Sequence, residues 1–403
     1  MTTHVVGGGV AGLAAALAAR AAGQPVVLHE AAGSAGGRAR ALPDGTDNGT
    51  HAVLGANRAA VGFLKEVGAW SGWVEPEPDG LPVLDLADGS ARRVALSPLG
   101  WWRGDRRPHG LSARGVMALL RLALPGADAA VGARMAGHPA LLRGFVEPLV
   151  IAALNTPVTE ASSRRLAAVL RRVGGPGAAR LHVARSGLGP DLVEPALAAL
   201  RRGGAEVRFS ARLRGVEVEG ERAAALQFGG ERVALGDGDR VVLALPPWEA
   251  ARVMPGLPVP VEHAPILNLH FAREGAGAVR FLGVLGGLCQ WVLVRPGAVA
   301  VTVSAADAEA GEPVEVLAPR AWGEIRALAS AFGLPGEWPV EVPGCRAVKE
   351  RRATPRHVVG QAAPPDVRAL RNLALAGDWM EPVLPATIDA AVRSGRRAVR
   401  ALG

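Results

Sequence analysis

His4-Val5-Val6-Gly7-Gly8-Gly9-Val10-Ala11-Gly12, followed by Leu13–Ala22, Gly23 and Pro25-Val26-Val27-Leu28-His29-Glu30, decides the fold of this 403-residue chain. A short β-branched run reads as a strand. The Ala-rich stretch after it has high helix propensity, and Gly23 stops it. A second β-branched run ends in an acid 18 residues beyond Gly12. Strand, G-x-G-x-x-G turn, helix, strand and acid together form the βαβ unit that binds a dinucleotide. Gly7 allows the tight turn, Gly9 lets the pyrophosphate approach the backbone, and Gly12 lets the helix lie on the strand. Val10 and Ala11 open the helix, whose unpaired N–H groups attract phosphate. Glu30 is placed to accept the ribose hydroxyls.

Two further stretches separate FAD from a nicotinamide cofactor. Gly33-Ser34-Ala35-Gly36-Gly37-Arg38 follows the acid directly and offers bare backbone and a guanidinium to the same pyrophosphate. Near the other end, Asn372-Leu373-Ala374-Leu375-Ala376-Gly377-Asp378 reads as a strand ending in an acid suited to the ribityl chain. Pro385-Ala386-Thr387-Ile388 then starts a helix expected to run to about Leu402, with Pro385 in its first turn. Its N-terminus would face the electron-rich edge of a flavin. The fold class expected is α/β: a Rossmann-like FAD-binding domain with an inserted α+β substrate domain containing an antiparallel sheet.

The rest of the chain supports two interleaved domains, since 403 residues exceed one ordinary core. Residues 1–70, 191–247 and 361–403 read as the FAD-binding domain, and 71–190 and 248–360 as the substrate-binding domain. Asp191–Arg201 reads as a helix, and Gly204–Val218 and Arg240–Leu245 as strands. The first insertion is helical after Ser112, and the second is strand-rich at Ile266–Phe271, Gly283–Val294 and Val299–Ser304.

Composition excludes several classes. Hydrophobic residues make up 49% and charged residues 20%, a globular balance. The net charge of +8 comes almost wholly from Arg, since Lys65 and Lys349 are the only lysines. Without any nucleic-acid-binding motif, and with 4% aromatics, nucleic acid is not expected as a partner. Cys289 and Cys345 have no metal or redox spacing and read as thiols of a reducing cytoplasm. No membrane-spanning segment and no metal site are predicted. Neither is a second G-x-G-x-x-G unit for a built-in nicotinamide donor. There is no GxSxG elbow and no HExxH pair.

With these pieces placed, the sequence resembles the FAD-dependent amine oxidase and phytoene desaturase superfamily, and within it the hydroxysqualene dehydroxylase family. The resemblance rests on Asp47-Asn48-Gly49-Thr50-His51 with Leu54, Gly55 and Arg58, and on Leu154-Asn155-Thr156 with Ala161-Ser162. Pro265-Ile266-Leu267-Asn268-Leu269-His270, Ala376-Gly377-Asp378-Trp379 and Leu384-Pro385-Ala386-Thr387-Ile388 through Gly395 complete it. The family usually has Gln where Thr50 stands and Glu-Gly where Asp389-Ala390 stand.

The resemblance implies non-covalently bound FAD, with Gly49 and Leu213 joining the cofactor-binding residues. It also implies reductive removal of an allylic hydroxyl from an apolar triterpenoid, hydroxysqualene, giving squalene in hopanoid biosynthesis. Oxidative action on another apolar substrate, as a desaturase or amine oxidase, is the alternative. The complete absence of Tyr removes the tyrosine cage typical of amine oxidases. His51 and Asp47 are the candidates for the acid that serves the leaving oxygen or for its relay, with Asn268 and Asn155 as further catalytic candidates. A triterpenoid resides in lipid, so Trp101-Trp102-Arg103 and Arg106-Arg107, followed by the apolar stretch Val116–Leu124, read as a peripheral membrane contact on the inner face of the plasma membrane. Neighbouring terpenoid-pathway enzymes are expected as partners.

Overall fold

The computed structural model describes residues 1–273, 275 and 277–403. Strand Thr3–Val6, helix Val10–Ala21 and strand Val26–His29 form as the opening sequence dictates. They lie in a six-stranded sheet ordered Arg368–Leu370, Leu373–Leu375, Arg240–Leu243, Thr3–Val6, Val26–His29, Glu206–Arg208. Its pairings are parallel except at the Arg368–Leu370 edge. Val5, Leu28, Val242 and Ala374 are buried because parallel strands need cover on both faces.

Close backbone approach positions the two long helices. A Cβ on Gly12 would stand 1.8 Å from the Gly7 carbonyl oxygen. One on Gly395 would stand 2.1 Å from the Ala11 carbonyl oxygen, so glycine there lets the C-terminal helix, Ile388–Leu402, pack on Val10–Ala21. That helix starts three residues later than the sequence suggests. Thr387 is its N-cap and accepts from the Ala390 amide at 3.2 Å, leaving Pro385 in the preceding turn. Asp389 Oδ1 then accepts the amides of Ala59 and Ala60 at 2.8 and 3.1 Å, capping the helix Arg58–Glu66.

The second large sheet has seven strands, ordered Cys345–Pro355, His263–Ala272, Ala298–Ser304, Trp291–Arg295, Arg280–Leu285, Leu81–Asp85, Ser90–Val94. It is antiparallel except that Gly283–Leu285 runs parallel to Val83–Asp85. One face buries Leu267, Leu269 and Phe271 against the helix Val314–Ala331 through Trp322 and Ile325. Alternation along the strand therefore sends Asn268 and His270 to the other face. Helices within 113–173 enclose that other side around Leu141, Val150 and Leu166.

Packing crosses the segment boundaries drawn from sequence. Trp73, Ala184 and Leu188 share the core of the six-stranded sheet, and Ala52–Leu54 pairs with Leu181–Ala184. Among the described residues no helix is long and apolar enough to cross a membrane, and no cluster of His, Cys, Asp or Glu is placed to hold a metal ion.

Candidate active site

A single cavity of about 1090 Å³ runs from the Gly-rich turn to the apolar side of the seven-stranded sheet. It exceeds the roughly 300–1,000 Å³ of an ordinary small-molecule pocket. Gly7, Gly9, Val10, Ala11, Glu30, Gly36, Gly37, Arg38, Gly49, Leu213, Gly377, Asp378, Ala386, Thr387 and Ile388 all line it. Gly12 does not, and acts beneath the turn.

The cradle fits a dinucleotide. The helix Val10–Ala21 has no side-chain cap and no acid in its first turn, so its N-terminal amides are open to an anion. A Cβ on Gly9 would meet nothing nearer than the Gly37 Cα, at 3.9 Å. Gly36 is bound to the turn by its amide, which donates to the Gly8 carbonyl at 2.8 Å. Glu30 Oε2 accepts the Gly8 amide at 2.6 Å, and Oε1 accepts the Ala32 amide at 2.7 Å. Each oxygen keeps a lone pair for a ribose hydroxyl.

Arg38 and Asp378, read separately in the sequence as pyrophosphate and ribityl partners, form an ion pair at 2.6 Å. Arg38 also donates to the Ala353 carbonyl, which ties the cradle to the seven-stranded sheet. At the C-terminal helix the Ala386 amide is already engaged, donating to His357 Nε2 at 3.1 Å. Nε2 is then the acceptor nitrogen, and Nδ1 faces Gln361 Oε1 at 3.4 Å. Burial, reinforced by the nearby Arg165, holds His357 down to about 3, so it stays neutral. His357 carried no motif or periodicity, and nothing local in Thr354–Arg356 pointed to it.

The four catalytic candidates separate. His51 lines the cavity, and its Nδ1 donates to the Gly49 carbonyl at 3.1 Å. Burial lowers its pKa, while the bond to the Gly49 carbonyl and the nearby Asp47 act the other way. Asn268 lines the cavity, with Oδ1 accepting the Thr302 hydroxyl at 2.8 Å. Asn155 also lines it, in a left-handed conformation at the end of helix Glu147–Leu154. Its amide binds the Ala264 carbonyl, Thr354 Oγ1 and the Ala305 amide, so it fastens three segments together.

Asp47 does not line the cavity. Its Oδ2 accepts from Arg295 Nη1 at 2.9 Å, and its Oδ1 from the Leu188 amide at 2.7 Å. Asp47, a candidate for the acid or its relay, is thus a buried loop anchor, whose partners lie 248 and 141 residues away in sequence. Beyond the cradle the cavity wall turns apolar, with Leu81, Val83, Leu96, Phe145, Leu149 and Phe281.

A Rossmann half joined through one cavity to a sheet with an apolar wall defines a flavin-dependent oxidoreductase. Comparison narrows the class. The family model described as "Flavin containing amine oxidoreductase" matches residues 10–403. The hydroxysqualene dehydroxylase of Rhodopseudomonas palustris is 38% identical over 412 residues, covering 98% of this chain and 97% of that one. The hydroxysqualene dehydroxylase of Zymomonas mobilis is 35% identical over 411 residues, with coverage of 98% and 97%. An oxidoreductase from Methanosarcina mazei has the same fold, with a TM-score of 0.74 at 14% identity, covering 99% of this chain and all of that one. The chain belongs to the flavin-containing amine oxidoreductase family and, within it, groups with the hydroxysqualene dehydroxylases. Membership implies FAD.

Proposed function

We propose that this chain removes the allylic hydroxyl of hydroxysqualene reductively, forming squalene at a non-covalently held FAD. The observation that carries the reading is the single cavity joining the dinucleotide cradle to a long apolar wall. Relatives named for this activity, matched along almost their whole length, support it. Bound and reduced, FAD supplies the hydride that replaces the C–O bond, and the oxygen leaves as water after taking a proton.

The chain's own residues bind, orient and exclude. Gly9, Gly36 and Gly37 admit the pyrophosphate, Glu30 takes the ribose, and the Arg38–Asp378 pair closes the ribityl side. Residues 1–70, 191–247 and 361–403 carry that work, and 71–190 with 248–360 supply the substrate walls. The apolar wall keeps water from the reacting carbon and buries the polyisoprenoid at roughly 0.8 kcal/mol per CH₂. Among the described residues no cysteine lines the cavity to attach a flavin, and the two thiols suit a cytoplasmic protein. Reducing equivalents come from outside, from free reduced flavin or a partner enzyme.

Substrate arrives from lipid through a peripheral contact centred on Trp102, which is 78% exposed. Leu99 and, on the helix Ala113–Ala123 and its end, Met117, Leu120 and Leu124 are also exposed. Trp101 is different. It packs edge-on against Phe145 at 5.4 Å and donates to the Ala95 carbonyl at 2.8 Å. Because Phe145 lines the cavity, the patch and the apolar wall are one side chain apart.

The test is anaerobic incubation of flavin-loaded protein with hydroxysqualene and reduced FAD, followed by mass spectrometry of the lipids. Squalene in proportion to enzyme is expected. No squalene, with desaturated product appearing under air, would replace the proposal with an oxidative reaction.

A further inference from the structure

Arg165, on the helix Ser163–Val173, is buried at 7% exposure and makes no ion pair among the described residues. The acids that act on it, Asp128 and Glu381, are engaged elsewhere. Asp128 Oδ1 accepts the Ser162 hydroxyl at 2.8 Å and the Arg164 amide at 3.0 Å, capping the helix. Glu381 Oε2 pairs with Arg393 Nε at 3.2 Å. Burial lowers the Arg165 pKa, but a guanidinium keeps its proton in a protein. A buried charge without an opposite charge beside it is costly, which asks what it serves.

Its position answers. Arg165 Nη1 donates to the Leu384 carbonyl at 3.2 Å. Leu384, Pro385, Ala386 and Thr387 form the turn that lines the cavity and leads into the C-terminal helix. That helix adds the partial positive charge of its N-terminus at the same place. Asp389, the acid of its first turn, does not cancel the field, because it caps Ala59 and Ala60 and pairs with Arg172 at 3.4 Å. His357, which accepts the Ala386 amide, stays neutral. Helix end and guanidinium therefore sum to a positive region behind the turn.

A flavin that takes up two electrons and one proton gains one negative charge, held on its pyrimidine ring. We propose that Arg165 is a positioning residue for electron loading: its buried charge, set behind the turn 384–387, stabilises the anionic reduced flavin and raises the flavin's reduction potential. The inference rests on the function proposed above, with FAD bound so that its pyrimidine edge meets this turn. It gives the helix Ser163–Val173, part of the substrate walls, a hold on the cofactor's electronics and favours reduction by a donor from outside.

The experiment measures the reduction potential of the bound flavin against a reference dye, with flavin content and melting temperature recorded for each protein. It uses wild type, Arg165→Met, Arg165→Gln, Arg165→Lys and, at the far, exposed end of the C-terminal helix, Arg400→Leu. At a fixed potential, Arg165→Met and Arg165→Gln should lower the ratio of reduced to oxidised flavin roughly tenfold, about 30 mV for a two-electron couple. Arg165→Lys keeps the charge and should stay near wild type, as should Arg400→Leu. Glutamine can still donate a hydrogen bond, so it separates charge from bonding and decides the matter if the methionine variant does not fold. Neutral variants with the wild-type potential, or a lysine or Arg400→Leu variant that falls as far, overturn the assignment. Squalene formation by wild type would then leave the reaction standing. Wild type that binds no flavin overturns both.

Discussion

Arg38 Nη2 lies 2.6 Å from Asp378 Oδ1, joining segments 340 residues apart in sequence. One belongs to the first dinucleotide turn and the other to the turn before the C-terminal helix. With Arg38 also bound to the Ala353 carbonyl, the pair fixes three walls of the cavity at one point.

Asp378→Asn and Arg38→Ala should each release flavin. Hydrogen bonds to charged groups are worth about 1.5–3 kcal/mol, so FAD affinity should fall roughly tenfold to a hundredfold. Flavin content per chain after gel filtration, read from the visible spectrum, checks this. Unchanged occupancy in both variants would remove the pair from the cofactor site.

Gly12→Ala and Gly395→Ala should destabilise by more than about 2 kcal/mol, because each new Cβ would sit within 2.1 Å of a backbone oxygen and the helices would have to part. Gly62→Ala, in the helix Arg58–Glu66 with open space around it, should stabilise by roughly 0.5–1 kcal/mol. Thermal unfolding of the three variants at one pH tests the contrast.

Acid should loosen the flavin-facing turn. His357 and His29 are both held to about 3 by burial, against 6.5 when unfolded. Below pH 6.5 the unfolded chain takes up protons that the folded chain refuses. The stability contributed by these groups is therefore complete above pH 6.5 and is lost as pH falls toward 3. The slope approaches about 1.4 kcal/mol per pH unit for each histidine. Melting temperatures from pH 8 to 4.5 should fall on the acid side, and His357→Gln should flatten that fall. An identical slope in the variant would reassign the dependence to other groups.

Liposome flotation separates the two tryptophans. Trp102→Ser combined with Leu120→Ser should lose binding to anionic vesicles without loss of melting temperature, since both side chains are exposed. Trp101→Ser should lower the melting temperature instead, because it abandons Phe145 and the Ala95 carbonyl. Binding should weaken in high salt if the surrounding arginines contribute. Equal flotation of wild type and the exposed-residue variant would place lipid contact elsewhere.

The cofactor cradle was legible because its determinants are local. Gly7, Gly9 and Gly12 answer to backbone geometry within one turn, and the βαβ period appears in a few residues of sequence. The catalytic candidates were less so. Asp47 resembled a loop acid until Arg295 met it, and the bond from His51 to the Gly49 carbonyl has no local sequence signal. His357 and Thr302 gave no signal, since their partners Ala386 and Asn268 are 29 and 34 residues away.

The amino-acid sequence by itself determined that this chain folds around a dinucleotide, because strand and helix periodicity and the need for glycine at tight turns act over short stretches. Tertiary structure alone decided which polar side chains face the cavity and which are consumed in holding it. Hydrogen bonds and ion pairs form between whatever groups the packed sheets bring within about 3 Å, and that proximity is a property of the assembled fold.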